Sequence, residues 1–511
     1  MVAAGKASVP LGLPRALIRG RARLALYGAL VALIGLAGIE LLARWAEPAI
    51  YRKLGDFHLT TAPAEYKLWQ QTLFSSFGGF HRPDPELLWA FRPQMRDPLF
   101  TTNSRGLLAP AEITCAKPPN TIRILLLGDS SPVGLGLRRR NEAFGELAAS
   151  MLSERWRGVK RVELINAAVS GYTSEQGRRF LEREGVRYQP DIVVCYFGNN
   201  DASINGYLTD REIFAAQDWA QAMRRTLYRF ATYRLLRGMM SPLLRDRSFA
   251  KTGSPKVRVT VDEFRDNMAR LAAAVAHTGG QAIFINPPVP LRWPAGLEFK
   301  IFSRMTDSAG QWVVADPIQR QLEQPAAYCL DPAAINRPYG RIDPYVRDVF
   351  ISAYVDAGQL DSLKASYLAK TAASPTDPLV RNNLGVLYWR ERDFTPAIAA
   401  FRRCLLADSS FNVARYNLGI ALADAGDTLQ AREYLSDAVD RDYYSLRIKT
   451  PYRKALAAAA REGGAIVLDA AGLFSRHDNE RLFIDHCHPT PEGHLLIAER
   501  LAVLIDSLLR Q

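Results

Sequence analysis

The 511-residue sequence predicts an α/β protein built on a doubly wound parallel sheet of five strands, with an inserted all-α domain and an N-terminal transmembrane helix. Three observations predict this architecture. Short apolar runs alternate with helical patterns, a repeat of 34 residues interrupts that alternation, and a long apolar stretch lies near the N-terminus. A chain of this length is too long for one ordinary core, so we expect two or three globular units.

The N-terminal segment combines a basic tail with an apolar stretch. Residues 1–23 carry one lysine and four arginines, and no acidic residue precedes Glu40. Residues 24–43 match the ~20 residues that a helix needs to cross the hydrocarbon core. Basic residues before such a span predict a cytoplasmic N-terminus, which would place everything after Arg44 outside the inner membrane. A cleaved signal peptide is the alternative, although no small-x-small cleavage site follows the span.

The charge balance bears on the class of partner. The chain has 65 basic and 52 acidic residues, which gives a net charge of +13. The basic residues are scattered, and no zinc-finger, RNA-binding or helix-turn-helix pattern is present, so we expect no nucleic-acid partner. We expect the membrane to be contacted through the N-terminal helix.

Five apolar runs predict the strands of the sheet. The first run, Ile124 to Leu127, has no polar break, which is typical of a strand buried on both faces, and it ends at Gly128. The other runs lie at residues 161–171, 191–201, 281–290 and 465–474, with helical patterns near 141–156, 174–187 and 261–277. Parallel sheets place their chemistry at the carboxyl ends of strands, so Ser130 is a candidate nucleophile. The alternative is that Asp129 or Ser130 only caps the following helix.

Three stretches lie outside this alternation. Residues 44–120 predict an irregular connector packed on the first part of the α/β domain, residues 121–344, with Trp89 and Phe91 buried. Residues 207–248 predict an arginine-rich helical segment that lies on the membrane, covers the site as a lid, or is an ordinary amphipathic insertion. Residues 302–344 have no assignable pattern.

A helical repeat occupies residues 345–446, before the final part of the α/β domain at 447–511. The pair Leu384-Gly385 recurs 34 residues later as Leu418-Gly419, and Ala397 recurs as Ala431. This period resembles the tetratricopeptide repeat, in which small residues let paired helices approach closely. The resemblance implies a groove for a peptide or a partner protein. A structural insertion that braces the α/β domain is the alternative.

The segment after the last strand supplies the groups that Ser130 would need. A neutral imidazole at His488 can accept a hydroxyl proton, and a carboxylate at Asp485 can hold the ring in the correct tautomer. The run Asp485 to His488 could instead ligate a metal, but no further cluster completes such a site. His486 and His494 are interpreted as structural. The proposed chemistry requires neither a metal nor an organic cofactor.

Four blocks together resemble the SGNH (GDSL-type) hydrolase superfamily. They are GDS at 128–130, a glycine at 171, GNND at 198–201 and DxxH at 485–488, in the family's order. The resemblance covers about residues 121–290 and 465 to the end, and it implies the flavodoxin-like fold of that family. It also implies Ser130 as nucleophile, His488 as base and Asp485 as its orienting acid. The oxyanion hole would comprise the Ser130 and Gly171 N–H groups and the Asn200 side chain. The helical insertion departs from the family pattern.

These observations predict an exported, membrane-tethered serine ester hydrolase that acts on an acylated carbohydrate of the cell envelope, with acetyl as the leading acyl group. One alternative is an O-acyltransferase of an exopolysaccharide pathway that uses the same Ser-His-Asp site. Another is a scaffold that recruits an envelope partner through its helical repeats. Lipid esters are a third class of substrate that the anchor suggests.

Overall fold

The computed structural model describes residues 15–54, 80–84, 86–203, 208–215, 223, 226–227, 229–240, 256–292, 360–441, 447–476, 479–484 and 487–510. Asp485, His486, the unassigned stretch 302–344 and the start of the predicted repeats lie outside these residues.

The described residues form strands β1 (His81–Asp84), β2 (Leu88–Phe91), β3 (Thr121–Gly128), β4 (Arg161–Asn166), β5 (Ile192–Tyr196), β6 (Gln281–Ile285) and β7 (Ile466–Leu468). They form helices α1 (Arg15–Leu54), α2 (Ser130–Val133), α3 (Phe144–Arg155), α4 (Ser174–Arg183), α5 (Asp210–Ala215), α6 (Ala231–Met240), α7 (Val261–His277), α8 (Leu360–Ala373), α9 (Pro378–Arg390), α10 (Phe394–Ala407), α11 (Asn412–Asp424), α12 (Thr428–Arg441), α13 (Thr450–Gly463), α14 (Ala470–Phe474) and α15 (Pro491–Leu509). Short 3₁₀ helices cover Arg140–Glu142, Gly185–Tyr188 and Asn479–Leu482.

The main sheet is parallel and has the strand order β4-β3-β5-β6-β7, so the predicted five-stranded α/β fold is confirmed. Every residue of β3 is buried, because helices cover both faces of the sheet. Leu125 and Leu127 belong to the core that includes α4, α7 and α13. Ile124 and Leu126 belong to the core on the opposite face, which includes α3 and α15. The alternation of side chains along β3 therefore joins two apolar layers.

The last strand is shorter than the sequence predicted. Only Ile466–Leu468 pair with β6, and the rest of the predicted strand forms helix α14. The Asp469 side chain causes this change, because it accepts a hydrogen bond from the Gly472 N–H at 3.1 Å and caps the new helix.

The connector contains a hairpin that the sequence analysis did not predict. Strands β1 and β2 pair in antiparallel register from His81 with Phe91 to Asp84 with Leu88. Trp89 and Phe91 are buried in the core of the α/β domain, as predicted for these aromatic side chains. The hairpin therefore packs against the sheet next to the end of β4.

The inserted helices pair as the 34-residue period predicts. Helices α9 and α10 form one pair, and α11 and α12 form the next. A Cβ atom on Gly385 would lie 2.7 Å from the Phe401 ring, and one on Gly419 would lie 2.6 Å from Leu435. The equivalent glycines thus permit the same close contact in both pairs.

The helical insertion contacts the α/β domain near the carboxyl ends of its strands. Leu291 packs against the apolar cluster of α11 and α12, and Arg292 forms an ion pair with Asp424 at 2.5 Å. On the far side of the insertion, the Ile448 N–H donates to the Asn199 side chain at 3.0 Å. The chain therefore leaves and re-enters the α/β domain at the same edge of the sheet.

Helix α1 includes one stretch that is long and apolar enough to cross a membrane. Leu26–Ala46 spans 21 residues with a mean hydropathy of 2.1, and none of it is buried. The predicted span, residues 24–43, overlaps it with a shift of two to three residues. A membrane anchor and a signal sequence both have these properties.

Candidate active site at the carboxyl edge of the sheet

The turn after β3 presents Ser130 at the end of the strand. The Asp129 side chain caps α2 by accepting a hydrogen bond from the Ser131 N–H at 2.8 Å. Asp129 is therefore the cap, and the Ser130 hydroxyl is left for another role. Ser130 begins α2, where an N–H group has no acceptor within the helix. The turn is tight, since a Cβ on Gly128 would lie 2.4 Å from Pro132.

His488, near the C-terminal end of the sequence, contacts Ser130. Ser130 Oγ and His488 Nε2 are 2.7 Å apart, although 358 residues separate them in sequence. The Ser131 hydroxyl donates to the Cys487 carbonyl at 3.3 Å, and the Ile484 N–H donates to the His488 carbonyl at 2.8 Å. These bonds hold the histidine loop against the turn after β3. An imidazole nitrogen at this distance can take the hydroxyl proton.

Gly171 lies in the turn that follows β4. Its φ of +81° is in the left-handed region, which favours glycine. Trp89 Nε1 donates to the Ser170 carbonyl at 3.0 Å, and Arg258 donates to the Gly171 carbonyl at 2.6 Å. In a trans peptide the C=O and N–H point in opposite directions, so the bond from Trp89 also sets the direction of the Gly171 N–H. Within the described part of the chain, this N–H donates no hydrogen bond.

Asn200 lies beside this turn. Its Nδ2 donates to the Tyr172 carbonyl at 3.1 Å, so the structure brings the loop after β5 to the loop after β4. Asp201 stabilises the loop after β5 by accepting hydrogen bonds from the Gly198 N–H at 3.0 Å and from Ser174. Gly198 has a φ of +124°, and a Cβ there would lie 2.5 Å from Ile448.

Burial sets the protonation of the carboxyl groups behind the site. It raises the pKa of Asp129 to about 7, against the opposing effect of the Ser131 N–H bond. Burial likewise raises the pKa of Asp201 to about 6, although its bonds to Ser174 favour the charged form. Both carboxyls are fully enclosed, so their charged forms lose hydration without a full ion pair in return.

His494 has a structural role, in agreement with its interpretation from the sequence. Its Nδ1 accepts a hydrogen bond from the Phe144 N–H at 3.2 Å and so caps helix α3. Burial lowers the pKa of His494 to about 3, so the ring is neutral near pH 7. A group that holds a backbone N–H in this way is not the base for Ser130.

Two residues that support the site were missed in the sequence analysis. Trp89 was expected to be buried, but not to bond the turn that carries Gly171. Arg258 is fully buried, pairs with Asp210 at 2.9 Å and also bonds Gln176. Neither residue lies in a motif. A buried arginine leaves no local signal in a sequence, because its partners come from other segments.

The structure thus brings His488 to Ser130, and it brings Asn200 to the turn that carries Gly171. Asp485 lies outside the described residues, and its role stays a prediction.

Residues 126–299 match the GDSL-like Lipase/Acylhydrolase family, and residues 380–411 match the tetratricopeptide repeat. The chain carries a GDSL-like acylhydrolase domain. The activity class of this domain is that of a serine esterase, and the tetratricopeptide repeat is a module typical of protein interaction. The matched range contains Ser130, Gly171 and Asn200, whereas His488 joins them only in the folded chain.

Several solved structures are similar to this chain at low identity. An α/β hydrolase from the metagenome of Lake Arreo is 13% identical, with 76% of this chain and 96% of that chain covered and a TM-score of 0.31. A lipase/acylhydrolase from Enterococcus faecalis is 14% identical, with coverages of 76% and 96% and a TM-score of 0.30. An acetylxylan esterase from Geobacillus stearothermophilus is 11% identical, with coverages of 75% and 93% and a TM-score of 0.30. No curated protein matches the sequence.

Proposed function

We propose that this protein is an exported enzyme, tethered to the inner membrane by α1, that removes acyl groups from a carbohydrate of the cell envelope. Acetyl is the leading acyl group. The observation that carries the catalytic part of this proposal is the 2.7 Å contact between Ser130 Oγ and His488 Nε2. The apolar helix after a basic segment supports the tether and the export of the domain.

The first half of the reaction forms an acyl-enzyme. Ser130 Oγ attacks the acyl carbon of the ester while His488 Nε2 takes its proton. The charge that develops on the carbonyl oxygen is stabilised by the N–H groups of Ser130 and Gly171 and by Asn200 Nδ2. Asn200 would exchange its bond to the Tyr172 carbonyl for this interaction. Each such donor contributes roughly 3 kcal/mol to transition-state stabilisation.

The second half releases the products. His488 gives its proton to the leaving alkoxide of the sugar as the C–O bond breaks. Water then attacks the acyl-enzyme, His488 accepts a proton from that water, and the acid is released as Ser130 recovers its hydroxyl proton. Asp485 is proposed to hold the ring of His488 through its second nitrogen.

The test uses a short-chain p-nitrophenyl ester and a fluorophosphonate probe on the purified chain. We expect Ser130→Ala to abolish covalent labelling and His488→Ala to abolish turnover. The matched control is Ser153→Ala, which removes an exposed hydroxyl on α3 that donates to the Ala149 carbonyl at 2.8 Å. It should retain labelling. Labelling that persists in Ser130→Ala would refute the assignment of the nucleophile.

A second candidate function is acyl transfer to a sugar hydroxyl in place of water. A cleft of about 570 Å³ lies between the repeats and the carboxyl edge of β6 and β7. The side chains that line it include Asn286, Arg292, Arg432, Asp440 and Asp469. Polar groups of this kind suit a hydroxyl-rich acceptor, and Ile448, which contacts Gly198 beside the site, also borders the cleft.

The two functions differ in the fate of the acyl group. With a labelled acetyl ester, hydrolysis releases labelled acetate at a rate independent of added oligosaccharide. Transfer moves label to the oligosaccharide, and Arg432→Ala should lower that yield without lowering acetate release. A scaffold would instead lose a partner protein on deletion of the repeats and show no effect of Ser130→Ala in cells.

A further inference from the structure

Glu40 is an acid within the apolar stretch of α1. From Leu26 to Ala46 the other charged residue is Arg44. Placing an ionisable side chain in a membrane span costs free energy unless the side chain is paired, so an acid at this position is expected to have partners. Glu40, Ala43 and Ala46 are partly covered, whereas the remaining residues of the stretch, apart from Gly38, are exposed.

The partners of Glu40 lie in helix α6, which is 191 residues away in sequence. Glu40 accepts hydrogen bonds from the Ala231 N–H at 2.8 Å, from the Thr232 N–H at 3.1 Å and from the Thr232 hydroxyl at 2.9 Å. The first N–H groups of a helix have no acceptor within it, and the N-terminal end of the helix dipole favours a negative charge. Glu40 therefore caps α6 from a different helix.

Arg44 completes the contact between the two helices. It forms an ion pair with Glu40 at 2.8 Å and donates to the Arg229 carbonyl at 3.1 Å. The acid thus has a counter-charge one turn further along α1, on the side towards the end of the span. Both charges are accounted for by contacts that involve the start of α6.

The position of Glu40 gives the depth of α6 relative to the span. Glu40 precedes Ala46, the end of the apolar stretch, by six residues, which is about 9 Å along a helix. The first turn of α6 therefore lies level with the last turns of the span, where hydrocarbon gives way to lipid headgroups. Phe230 and Leu236 are 45% and 54% exposed there, and the nearby Arg229 is also exposed.

We propose that residues 229–236 lie in the membrane interface beside α1, with the Glu40 cap fixing the two helices together and with anionic lipid headgroups as the partner of Arg229. Apolar side chains next to arginines are the composition of interfacial helices. This inference rests on the membrane anchor of the proposed function and is independent of the ester chemistry.

The arrangement has a consequence for the processing of the N-terminus. Removal of α1 by a signal peptidase would remove the acceptor of the Ala231 and Thr232 N–H groups, so the contact requires a retained anchor.

The first test is disulfide trapping in the full-length chain in isolated inner membranes. We expect the double variant Glu40→Cys/Thr232→Cys to form an intramolecular disulfide on mild oxidation, visible as a shift in gel mobility that reduction reverses. The matched control is Leu41→Cys/Thr232→Cys, because Leu41 is exposed on another face of α1. Each single-cysteine variant shows how much of the mobility shift comes from disulfides with the native cysteines. Equal trapping in both pairs, or none in the first, would overturn the contact.

The second test reports the environment of α6. A polarity-sensitive fluorophore is attached to Leu236→Cys and, as a control, to Leu406→Cys, which is 86% exposed on α10. The full-length chain is placed in vesicles of phosphatidylcholine with or without phosphatidylglycerol, containing spin-labelled lipid as a quencher. We expect quenching at position 236 alone, and we expect Arg229→Glu to reduce it only where phosphatidylglycerol is present.

A water-like, unquenched signal at position 236 would overturn the interfacial placement. Loss of the N-terminal segment, seen by mass, would instead refute the anchor on which the inference rests. Neither measurement depends on turnover, and both can be made in a Ser130→Ala background. Failure of the inference is thus distinguishable from failure of the esterase assignment.

Discussion

Trp89 contributes an indole N–H, as well as an apolar ring, to the turn that carries Gly171. Its ring also packs edge-on against Tyr172, whose hydroxyl donates back to the Trp89 carbonyl at 2.6 Å. Arg258 lies over the same indole and bonds the next carbonyl of the turn. Side chains from the connector and from the segment before α7 therefore set the direction of the Gly171 N–H, which we propose as an oxyanion donor.

Trp89→Phe tests this orienting bond. It keeps an aromatic ring but removes the donor to the Ser170 carbonyl, so we expect kcat to fall about tenfold with KM nearly unchanged, less than for loss of an oxyanion donor itself. The control is Phe91→Leu, which loosens the same buried hairpin without a polar bond to the turn. Both variants should lower the Tm, but only the first should lower kcat. Equal kcat values for the two variants would contradict the role of the indole N–H.

Asp129→Asn tests the buried carboxyl behind Ser130. Burial holds the pKa of Asp129 at about 7 in the folded chain, whereas an unfolded aspartate has a pKa of about 4. Between these values the folded state keeps a proton that the unfolded state has lost, so Asp129 lowers the stability progressively as pH rises through this window. Asparagine can still accept the Ser131 N–H bond and has no charge to bury.

We therefore expect the Tm of Asp129→Asn to exceed that of the wild type by more at about pH 8 than at about pH 5. Thermal unfolding at the two pH values measures this difference. Glu154→Gln, at an exposed carboxyl on α3, is the control and should show no such trend. A difference in Tm that shrinks as pH rises would contradict the effect of burial on Asp129.

Helix pairs in the repeats depend on glycine at the same point of each unit. Gly385 faces Phe401 of α10, whose side chain is fully buried. Gly419 faces Leu435 in the next pair. The 34-residue period thus places a glycine where the two helices of each pair lie close to each other.

Gly385→Ala should destabilise the repeats, because its new methyl group would lie 2.7 Å from the Phe401 ring. Overpacking of this kind costs about 1–3 kcal/mol, more than the gain in helix propensity. Adding Phe401→Leu should recover part of the loss, which thermal unfolding of the single and double variants would show. If the losses of stability in the two single variants simply add in the double variant, the side chains at 385 and 401 are not in contact.

Two contacts between described segments join parts of the molecule that lie far apart in sequence. The Ile448 segment returns from the repeats directly onto the Asn199 and Gly198 loop. Helix α1 contacts α6, which lies in the segment between β5 and α7. The Asp210 to Arg258 ion pair lies in the same segment. The segment that follows the repeats is therefore joined directly to the loop after β5.

We expect the full-length chain to stay in the membrane pellet after alkaline carbonate extraction, with its N-terminal segment intact by mass. A chain that begins at Glu47 should be recovered in the supernatant, because it lacks the apolar stretch Leu26–Ala46. Release of the full-length chain by carbonate, or loss of its first 46 residues, would show a signal sequence instead of an anchor.

The sequence by itself determined the parallel sheet, the paired helices of the insertion, a helix of membrane length and the placement of Ser130 at the end of a strand. Each depends on apolar periodicity, chain length or turn residues within a short window. The sequence did not reveal the hairpin β1–β2. It also did not reveal that β7 has only three paired residues, because Asp469 caps a helix directly after them.

Only the tertiary structure decided which distant groups meet. The 2.7 Å contact of Ser130 with His488, the bond from Trp89 to the Ser170 carbonyl and the Glu40 cap on α6 join residues far apart in sequence. Such contacts follow from how the elements pack, and their partners leave no local periodicity. Burial, which raises the pKa of Asp129, likewise exists only once both faces of the sheet are covered.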